Sequence, residues 1–342
     1  MLRVSRPENR SRSTTRGIEY VRCNLCGADD AKLLYRAPVK PQREGVYNRD
    51  LWDVVQCRRC GLIYVNPRID DEARAFFYSF KTPGDKLAVQ ARFFDNPELQ
   101  RPLWLRYLRI LQRERAQGKL LDIGCGPGRF LVEARRQGYE VTGQEVAGLF
   151  IDYCRKQQGI PIHGDLLENL DLQPGSFDVV TAFDVIEHHP DPRKLLGQMR
   201  SLLRDGGLAM ISTHDIGNFF ARRYGVRWRY LHPIPHITYF TRDTLARMLV
   251  ESDFRVIRKG GIHTMDATKW AEAQNLITAI LKTLLLRSII LFVYRPLTSR
   301  LPALTRWRLK LGSVALDHQK LLAQTGDQII MDDDMVILAE AV

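Results

Sequence analysis

The chain has few cysteines, no uncharged apolar run long enough to cross a membrane, and fewer acidic than basic residues. Six cysteines in 342 residues are too sparse for the disulfide framework of a small secreted protein. The basic, polar N-terminal residues are followed by no apolar stretch, so a secretory signal is not expected. With 45% hydrophobic and 26% charged residues, the composition excludes disorder for the bulk of the chain. The length predicts about two domains.

The shortage of acidic residues leaves the chain strongly basic. Lysine and arginine number 51 against 39 aspartates and glutamates, a formal net charge of +12. This excess suits three kinds of partner, namely nucleic acid, an anionic membrane or a phosphorylated substrate. Part of it lies in residues 1–18, which are rich in Arg and Ser. We expect them to form a basic disordered arm.

Four of the six cysteines form two matched pairs, Cys23/Cys26 and Cys57/Cys60, each followed by a glycine. In a Cys-x-x-Cys pair two thiolates reach one tetrahedral ion, and the glycine permits a tight turn around it. We predict a zinc ribbon over residues 19–67 that binds one Zn²⁺ through these four residues; redox pairs are the alternative. Because four cysteines fill the coordination sphere, this metal is expected to be structural.

From residue 117 onward, apolar runs alternate with amphipathic helical stretches, as in parallel α/β sheets. The expected strands are Lys119–Ile123, Glu140–Gln144, Ile160–His163, Phe177–Phe183, Gly207–Thr213, Phe254–Lys259 and Met335–Ala341. The expected helices are Arg129–Gln137, Leu149–Gln158, Pro192–Leu203 and Thr241–Ser252. The second domain would comprise residues 117–262 and 326–342, preceded by a helical linker or cap (68–116) and interrupted by an apolar, basic helical insertion (263–325).

A glycine-rich loop follows the first of these strands. The stretch Asp122-Ile-Gly124-Cys125-Gly126-Pro-Gly128 stands at a strand-to-helix turn, where glycines let the backbone approach a ligand at the helix N-terminus. Dinucleotide-binding proteins have the spacing G-x-G-x-x-G, whereas the glycines here run G-x-G-x-G. In this form the stretch resembles the first motif of the class I S-adenosylmethionine (SAM)-dependent methyltransferases, (D/E)-x-G-x-G-x-G.

Four further matches follow in the order of that family. Glu145 stands where the family places an acidic residue on the ribose hydroxyls, and Asp165 where it faces the adenine. Residues 176–189 resemble the fourth strand and its following loop, and residues 203–207 resemble the turn into the fifth strand. The resemblance implies a Rossmann-like α/β sheet of seven strands, the last one antiparallel, with SAM as cofactor. A nicotinamide dehydrogenase and a non-catalytic relative are the alternatives.

The resemblance also implies which residues contact the cofactor. They are Asp122, Gly124, Cys125, Gly126, Gly128, Glu145, Asp165, Phe183 and Asp184. The sulfonium of SAM supplies an activated methyl group, while the protein supplies orientation, a dry pocket and a base. The candidate bases are His188 and His189 after the fourth strand and His232 and His236 after the fifth, and of these we favour His188 and His236.

The cysteine ribbon ahead of this core resembles a group of methyltransferases of sugar and cell-surface glycan pathways, including deoxysugar C-methyltransferases. Those C-methyltransferases carry a Tyr-x-Glu-His element before an aromatic-Phe-Ser/Thr stretch. Here Pro233 and Pro235 occupy the Tyr and Glu positions, while His236 is kept. Carbon methylation needs removal of a C–H proton, and the Tyr and Glu side chains of that element are missing here. We therefore expect transfer to a hydroxyl of a carbohydrate, nucleotide-sugar or lipid-linked glycan. Sugar C-methylation is an alternative.

RNA methylation is a second alternative, because some ribosomal RNA methyltransferases also carry an N-terminal zinc site and a basic surface suits phosphates. However, the loop after the fourth strand lacks the (D/N)-P-P-(Y/F) element with which enzymes that methylate exocyclic amines hold a base. Nucleic acid therefore ranks below a sugar substrate. A zinc-ribbon interaction protein with an inactive methyltransferase fold is the third alternative.

Residues 219–230 interleave arginines with aromatic residues after the fifth strand, where substrate lids often sit in this fold. Guanidinium groups suit phosphate, and aromatic rings suit a sugar or base face. An anionic small molecule or a lipid-linked sugar is the expected substrate; a solvated basic loop is the alternative. The candidate substrate residues are Arg222, Arg223, Tyr224, Arg227, Trp228 and Tyr239.

Residues 276–294 are rich in apolar side chains, but Lys282 and Arg287 lie near their middle. Each charge costs about 2.5–3.5 kcal/mol on insertion, which the apolar residues barely offset, so a membrane span is not expected. Basic residues and Trp307 follow up to residue 310, a combination typical of a helix at an anionic membrane surface. We expect a cytoplasmic protein. Residues 276–294 would either pack on the core or lie on a membrane or dimer surface, and our hypothesis is peripheral contact with the inner face of the membrane through residues 276–310.

Overall fold

The computed structural model describes residues 17–38, 50–78, 100–114, 118–261 and 334–342. The strands in these ranges are β1 (Ile18–Glu19), β2 (Ala31–Pro38), β3 (Leu51–Cys57), β4 (Ile63–Val65), β5 (Arg68–Ile69), β6 (Lys119–Ile123), β7 (Glu140–Gln144), β8 (Ile162–His163), β9 (Phe177–Phe183), β10 (Leu203–His214), β11 (Thr238–Tyr239), β12 (Phe254–Gly261) and β13 (Asp334–Ala341). The α-helices are α1 (Asp71–Tyr78), α2 (Arg101–Glu114), α3 (Arg129–Arg136), α4 (Gly148–Tyr153), α5 (Pro192–Leu202), α6 (Phe219–Tyr224) and α7 (Arg242–Val250).

The larger sheet has seven strands in the order β12-β13-β10-β9-β6-β7-β8. Strands β8, β7, β6, β9 and β10 pair in parallel, whereas β13 runs antiparallel to both β10 and β12. The predicted seven-stranded Rossmann-like sheet, with its last strand antiparallel, is therefore confirmed. The order reverses between β6 and β9, and this reversal is where open α/β sheets bind their ligands.

The middle of the large sheet is buried on both faces, as expected for parallel strands covered by helices. In β9 the side chains of Val179, Val180 and Ala182 are fully buried, and β10 is buried from Leu208 to Thr213. Helix α5 returns the chain between these two strands. Its N-terminus is capped by Asp191, whose side chain accepts a hydrogen bond from the backbone N–H of Lys194, 3.1 Å away.

Most predicted boundaries agree with the structure, and the exceptions have physical reasons. The predicted strand from residue 160 begins only at Ile162, because Pro161 has no N–H to donate to a neighbouring strand. Strand β10 begins at Leu203, earlier than predicted, because Leu203 already pairs with Phe177 before an irregularity in the register. The predicted helix 149–158 changes to a π-helical turn from residue 154 onward.

The smaller sheet surrounds the four paired cysteines and has the order β11-β4-β3-β2. The backbone N–H of Gly27 donates to the carbonyl of Cys23, and that of Gly61 to Cys57, which closes two tight turns. The fourth strand, β11, comes from the segment after β10, and the N–H of Val65 donates to the carbonyl of Ile237, 3.0 Å away. The small sheet thus crosses the predicted domain boundary at residue 67.

The insertion predicted over residues 263–325, the membrane-contact segment 276–310 and residues 1–16 of the predicted arm lie outside the described residues. Over the ranges that are described, no helix combines the length and the apolar character that crossing a membrane requires.

Candidate functional site

The C-terminal ends of β6, β7 and β9 meet at one edge of the large sheet. The glycine-rich loop 124–128 follows β6 and leads into α3. Gly126 has a φ of +52°, a left-handed conformation that favours glycine, and a Cβ built there would meet no atom within 4 Å. The backbone of this loop therefore borders open space, as a ligand-binding loop at a helix N-terminus requires.

Glu145 lies directly after β7 and is tied to the glycine-rich loop. Its Oε2 accepts the N–H of Gly126 at 2.9 Å, and its Oε1 accepts those of Val146 and Ala147 at 2.7 and 2.9 Å. Burial raises the pKa of Glu145, and the three N–H donors act in the opposite direction. A carboxylate oxygen accepts two hydrogen bonds, so Oε2 has room for one more donor, such as a ribose hydroxyl.

Asp122 is buried near the C-terminal end of β6, two residues before the glycine-rich loop. Its Oδ1 accepts a hydrogen bond from the Thr181 hydroxyl at 2.6 Å. Burial raises the pKa of Asp122 to about 7, against the lowering effect of this bond. Gln144, the last residue of β7, connects two parts of the site. Its side-chain oxygen accepts a hydrogen bond from the N–H of Gly124 at 3.2 Å, and its side-chain nitrogen donates to the carbonyl of Asp165 at 2.7 Å.

The remaining predicted cofactor residues lie around this edge in different environments. Asp165 is exposed, and its Oδ1 accepts from the side-chain amide of Asn169 and the N–H of Leu166, which lower its pKa. Asp184 follows β9 with a φ of +54° and accepts a 3.2 Å hydrogen bond from the Ser212 hydroxyl. Cys125 is a buried free thiol whose N–H donates to the carbonyl of Gln144.

Phe183 belongs to an aromatic cluster that the sequence did not predict. Its ring stacks on Tyr107 at 4.4 Å and meets Phe130 edge-on at 4.8 Å, while Trp104 lies 5.8 Å from it. Tyr107 and Trp104 belong to α2, in the segment expected only as a linker or cap. The buried indole N–H of Trp104 makes no hydrogen bond to any described residue.

The two predicted bases are brought together. The rings of His188 and His236 lie 4.8 Å apart. Nδ1 of His188 is 2.8 Å from the carbonyl of Pro235, and Nδ1 of His236 is 2.8 Å from the carbonyl of Tyr230. Because a carbonyl only accepts, Nδ1 carries a proton in each ring. Burial, and then His188, lowers the pKa of His236 well below its ordinary value, which keeps this ring neutral.

Two further residues of this site were missed from the sequence, Glu187 and His214. With His188 and His236 they form what we call the histidine cluster. Nε2 of His188 and Nε2 of His214 each lie 3.9 Å from Oε1 of Glu187. Burial raises the pKa of the Glu187 carboxyl to about 8. Although burial lowers it, the pKa of His214 rises to about 8 through its hydrogen bond to Asp334 and the nearby carboxylates.

The histidine cluster adjoins the glycine-rich loop. Val185, which precedes Glu187 by two residues, contacts Gly124 so closely that a Cβ at Gly124 would lie 2.6 Å from its Cγ2. Glu187, His188 and His236 each present a ligand atom within 4.8 Å of the others, so they could also hold a divalent cation. A loop suited to a cofactor and a group of basic nitrogens thus share one edge of the sheet.

The predicted substrate residues divide into two environments. Trp228 and Tyr239 are buried and belong to an apolar cluster with Trp52, so their rings support the fold. The other four, Arg222, Arg223, Tyr224 and Arg227, are exposed along α6 and the turn after it. This segment connects His214 to Tyr230, whose carbonyl accepts the hydrogen bond of His236.

The four paired cysteines converge in the N-terminal part, and all six cysteines of the chain are free thiols. The Sγ atoms of Cys23 and Cys60 lie 3.3 Å apart, those of Cys26 and Cys57 3.5 Å apart, and all four lie within 4.8 Å of one another. A tetrahedral zinc with bonds of about 2.3 Å requires separations of about 3.8 Å, so these residues fit the ion. Burial raises the pKa of the Cys60 thiol to about 11, and a bound cation would favour the thiolate.

Comparison with known proteins agrees with this architecture. Residues 97–259 match the family model described as methyltransferase domain (Methyltransf_23). With the sheet order and the glycine-rich loop, this match identifies the stretch as a class I SAM-dependent methyltransferase domain. A ubiquinone biosynthesis O-methyltransferase of Xanthomonas euvesicatoria pv. vesicatoria is 34% identical over 142 residues, 38% of this chain and 59% of that protein.

A protein of the same name from Coxiella burnetii is 29% identical over 187 residues, which cover 51% of this chain and 70% of that protein. The chain spans about 60% of the length of the first relatives that it matches. Among solved structures, an S-adenosylmethionine-dependent methyltransferase from Mesorhizobium loti is 17% identical, with a TM-score of 0.42 over 68% of this chain and 95% of that one.

Proposed function

We propose that the protein is a SAM-dependent methyltransferase that methylates a hydroxyl group. The observation that carries this proposal is the pair of imidazole rings of His188 and His236, 4.8 Å apart, whose Nδ1 atoms each lie 2.8 Å from a backbone carbonyl oxygen. Burial lowers the pKa of His236 well below its ordinary value, so its Nε2 can accept a proton. The relatives named above are O-methyltransferases by name, which supports oxygen as the methylated atom.

The residues around the loop would hold the cofactor. The backbone at Gly126 leaves room for it, and Oε2 of Glu145 has a lone pair for a ribose hydroxyl. Asp122 adds a carboxyl group near the loop, which favours a cationic ligand when ionised. Trp104 and Phe183 border the same edge with an apolar surface that excludes water. When bound, SAM supplies an electrophilic methyl group on a sulfonium sulfur.

Methyl transfer requires the acceptor to lose a proton. The acceptor oxygen would form the new bond to the methyl carbon as the sulfur–carbon bond breaks, and the hydroxyl proton would pass to Nε2 of His236 or His188. The depressed pKa of His236 keeps it unprotonated at neutral pH. A divalent cation held by Glu187, His188 and His236 is a second way to acidify the hydroxyl. Sensitivity to EDTA, reversed by Mg²⁺ or Mn²⁺, would distinguish the cation from direct proton transfer.

For the acceptor we propose a carbohydrate, nucleotide-sugar or lipid-linked glycan. Exposed Arg222, Arg223 and Arg227 lie on the segment that joins two members of the histidine cluster, and guanidinium groups bind phosphate well. The relatives' name makes a lipid-soluble ubiquinone precursor the acceptor to test beside it. Peripheral contact with a membrane through residues 276–310 stays a prediction from the sequence.

We also propose that the cysteine cluster binds one structural Zn²⁺. This is supported by four sulfur atoms at separations that suit tetrahedral coordination, with no position left for a substrate. The ion would hold the small sheet, whose strand β4 pairs with β11 beside His236.

One experiment separates the acceptors. The purified protein is incubated with methyl-labelled SAM and separated fractions of RNA, lipid and nucleotide-sugars. Label in the nucleotide-sugar fraction, or in a lipid that releases a labelled sugar on mild acid hydrolysis, supports the proposal. Label in a lipid that carries no sugar points to the ubiquinone precursor, and label in RNA overturns the acceptor class. If calorimetry detects no SAM binding and no fraction is labelled, the methyltransferase proposal itself fails.

A further inference from the structure

The last residue of β10 and the first residue of β13 face each other across the sheet. His214 ends β10, Asp334 begins β13, and the two are directly paired in the antiparallel register. The parallel strands of the sheet all have their C-terminal ends at the ligand-binding edge. Because β13 runs in the opposite direction, it brings its beginning to that edge. The antiparallel strand thus adds a carboxylate from the far end of the chain to the histidine cluster.

The His214 ring is fixed from two sides. Its Nδ1 lies 2.6 Å from Oδ1 of Asp334, and the ring of Tyr230 stacks on it at 3.4 Å with an interplanar angle of 17°. Since an ionised carboxylate only accepts, Nδ1 donates to Asp334, and Nε2 faces Glu187 at 3.9 Å. Neither half of this pair was singled out from the sequence.

The buried carboxyl group of Glu187 needs a neighbouring side chain that is held in place, as His214 is. Both of its carboxyl oxygens are buried, and the Thr213 side chain and the backbone of Glu187 itself interact with the carboxyl group and lower its pKa. An ionised carboxylate is costly to bury unless a donor or a cation faces it. The titratable and charged groups that face it are Asp184 and His188 from its own loop, His214 from β10 and His236 from the segment after it. Of these, His214 alone is hydrogen-bonded to a second carboxylate.

We propose that Asp334 is a positioning residue of the histidine cluster: it holds the His214 ring so that Nε2 faces Glu187. The Glu187 carboxyl group is then held in place beside His188 and His236, where the proposed function puts the acceptor hydroxyl. This inference rests on the proposed methyl transfer for its consequence in activity, but not for its geometry.

Two substitutions separate orientation from other roles. In Asp334→Asn the amide oxygen can still accept the hydrogen bond of His214, so the ring keeps its orientation. In Asp334→Ala the bond is lost. Glu340→Gln, at the opposite end of the same strand, is the matched control, because Glu340 pairs with Leu208 and lies away from the cluster. His214→Phe keeps an aromatic ring against Tyr230 but removes both nitrogens.

The first measurement is proton NMR of histidine-labelled full-length protein. We expect a downfield, exchange-protected Nδ1 proton of His214 in the wild type, in Asp334→Asn and in Glu340→Gln, and its loss in Asp334→Ala. Asp334→Ala should also shift the ring resonances of His188 and His236. A His214 proton that survives Asp334→Ala, or unchanged His188 and His236 rings, overturns the proposal. These spectra decide the point even if the wild type transfers no methyl group.

The second measurement is methyl transfer from labelled SAM to the fraction that the wild type labels. We expect Asp334→Ala and His214→Phe to lower kcat by about tenfold, since a charge-assisted hydrogen bond is lost, with an unchanged Kd for SAM. Asp334→Asn should retain a rate close to that of the wild type. If Asp334→Asn is as slow as Asp334→Ala, the negative charge matters and positioning is not the role. Wild-type activity in Asp334→Ala contradicts the proposal outright.

Discussion

The N–H of Gly126 donates to Oε2 of Glu145 across 2.9 Å, which joins the glycine-rich loop to the end of β7. This bond places the carboxylate beside the part of the loop that borders open space. Glu145 therefore has two functions in the proposed site, because it shapes the loop and offers a lone pair to the ligand.

Glu145→Gln should weaken SAM binding by about tenfold, since hydrogen bonds to a charged group are worth about 1.5–3 kcal/mol. Isothermal titration calorimetry measures the change. Glu140→Gln, at the exposed start of the same strand, is the control and should leave the affinity unchanged. Equal affinity in wild type and Glu145→Gln would remove Glu145 from the cofactor site.

Gly126→Ala should lower both stability and SAM affinity. A left-handed alanine costs about 1–2 kcal/mol, and the new methyl group projects into the space left for the ligand. Gly159→Ala is a matched control, because Gly159 also has a positive φ, of +58°, and also has no atom within 4 Å of its built Cβ. Both variants should lose a similar free energy of unfolding, but only Gly126→Ala should lose SAM affinity. Equal affinities would place the cofactor elsewhere.

Asp122→Asn should change how stability depends on pH. The pKa of Asp122 is about 7 in the fold, well above its ordinary value, so the native state keeps a proton that the unfolded chain releases. Asp122 therefore lowers stability progressively as the pH rises from about 4 to 7, by about 1.4 kcal/mol for each unit of pKa difference. Denaturant unfolding should show a shallower decline in this window for Asp122→Asn. Exposed Asp171→Asn should follow the wild type.

His236→Asn should lower methyl transfer by about 100-fold without changing SAM affinity, as expected for loss of a general base. The variant can still donate to the carbonyl of Tyr230, so the segment should keep its position. Because the pKa of His236 is depressed, protonation of His236 itself should lower transfer only once the pH falls below the ordinary histidine range, whereas the pKa values of Glu187 and His214 are about 8. His189→Gln, one residue beyond His188, is the control. A pH profile that breaks near neutrality would point to another base.

Cys57→Ser should release zinc and destabilise the protein by about 4 kcal/mol or more, as loss of a structural metal does. Metal analysis by mass spectrometry and thermal unfolding measure the two effects. Cys154→Ser is the control, because Cys154 is also a buried free thiol but lies outside the cysteine cluster. Wild-type protein that holds no metal, together with an unchanged unfolding temperature in Cys57→Ser, would rule out the structural ion.

The large sheet was predictable because its strands carry strong local signals. Runs such as Phe177–Phe183 are mostly apolar, and the glycine-rich loop and Asp191 indicate where helices begin. The first residues of β8 and β10 were harder to predict, since they depend on pairing with strands that are distant in sequence. Register across a sheet is a tertiary property that residue patterns encode weakly.

The sequence predicted His188 and His236 but not His214, Asp334 or Trp104. The two predicted histidines lie near motifs, whereas His214 and Asp334 become neighbours only through the antiparallel pairing of β10 with β13. Trp104 lies on a helix whose apolar face is equally compatible with ordinary packing. The roles of all predicted site residues stay predictions until the variants above are measured.

Strand β11 completes the small sheet by pairing Thr238 with Tyr64, although half of the chain separates them in sequence. During synthesis, β4 emerges from the ribosome long before its partner exists. The four cysteines are therefore made long before the strand that completes their sheet, and the edge of β4 stays unpaired until Thr238 and Tyr239 have been made. Grafting the small sheet onto another enzyme would leave that same edge exposed.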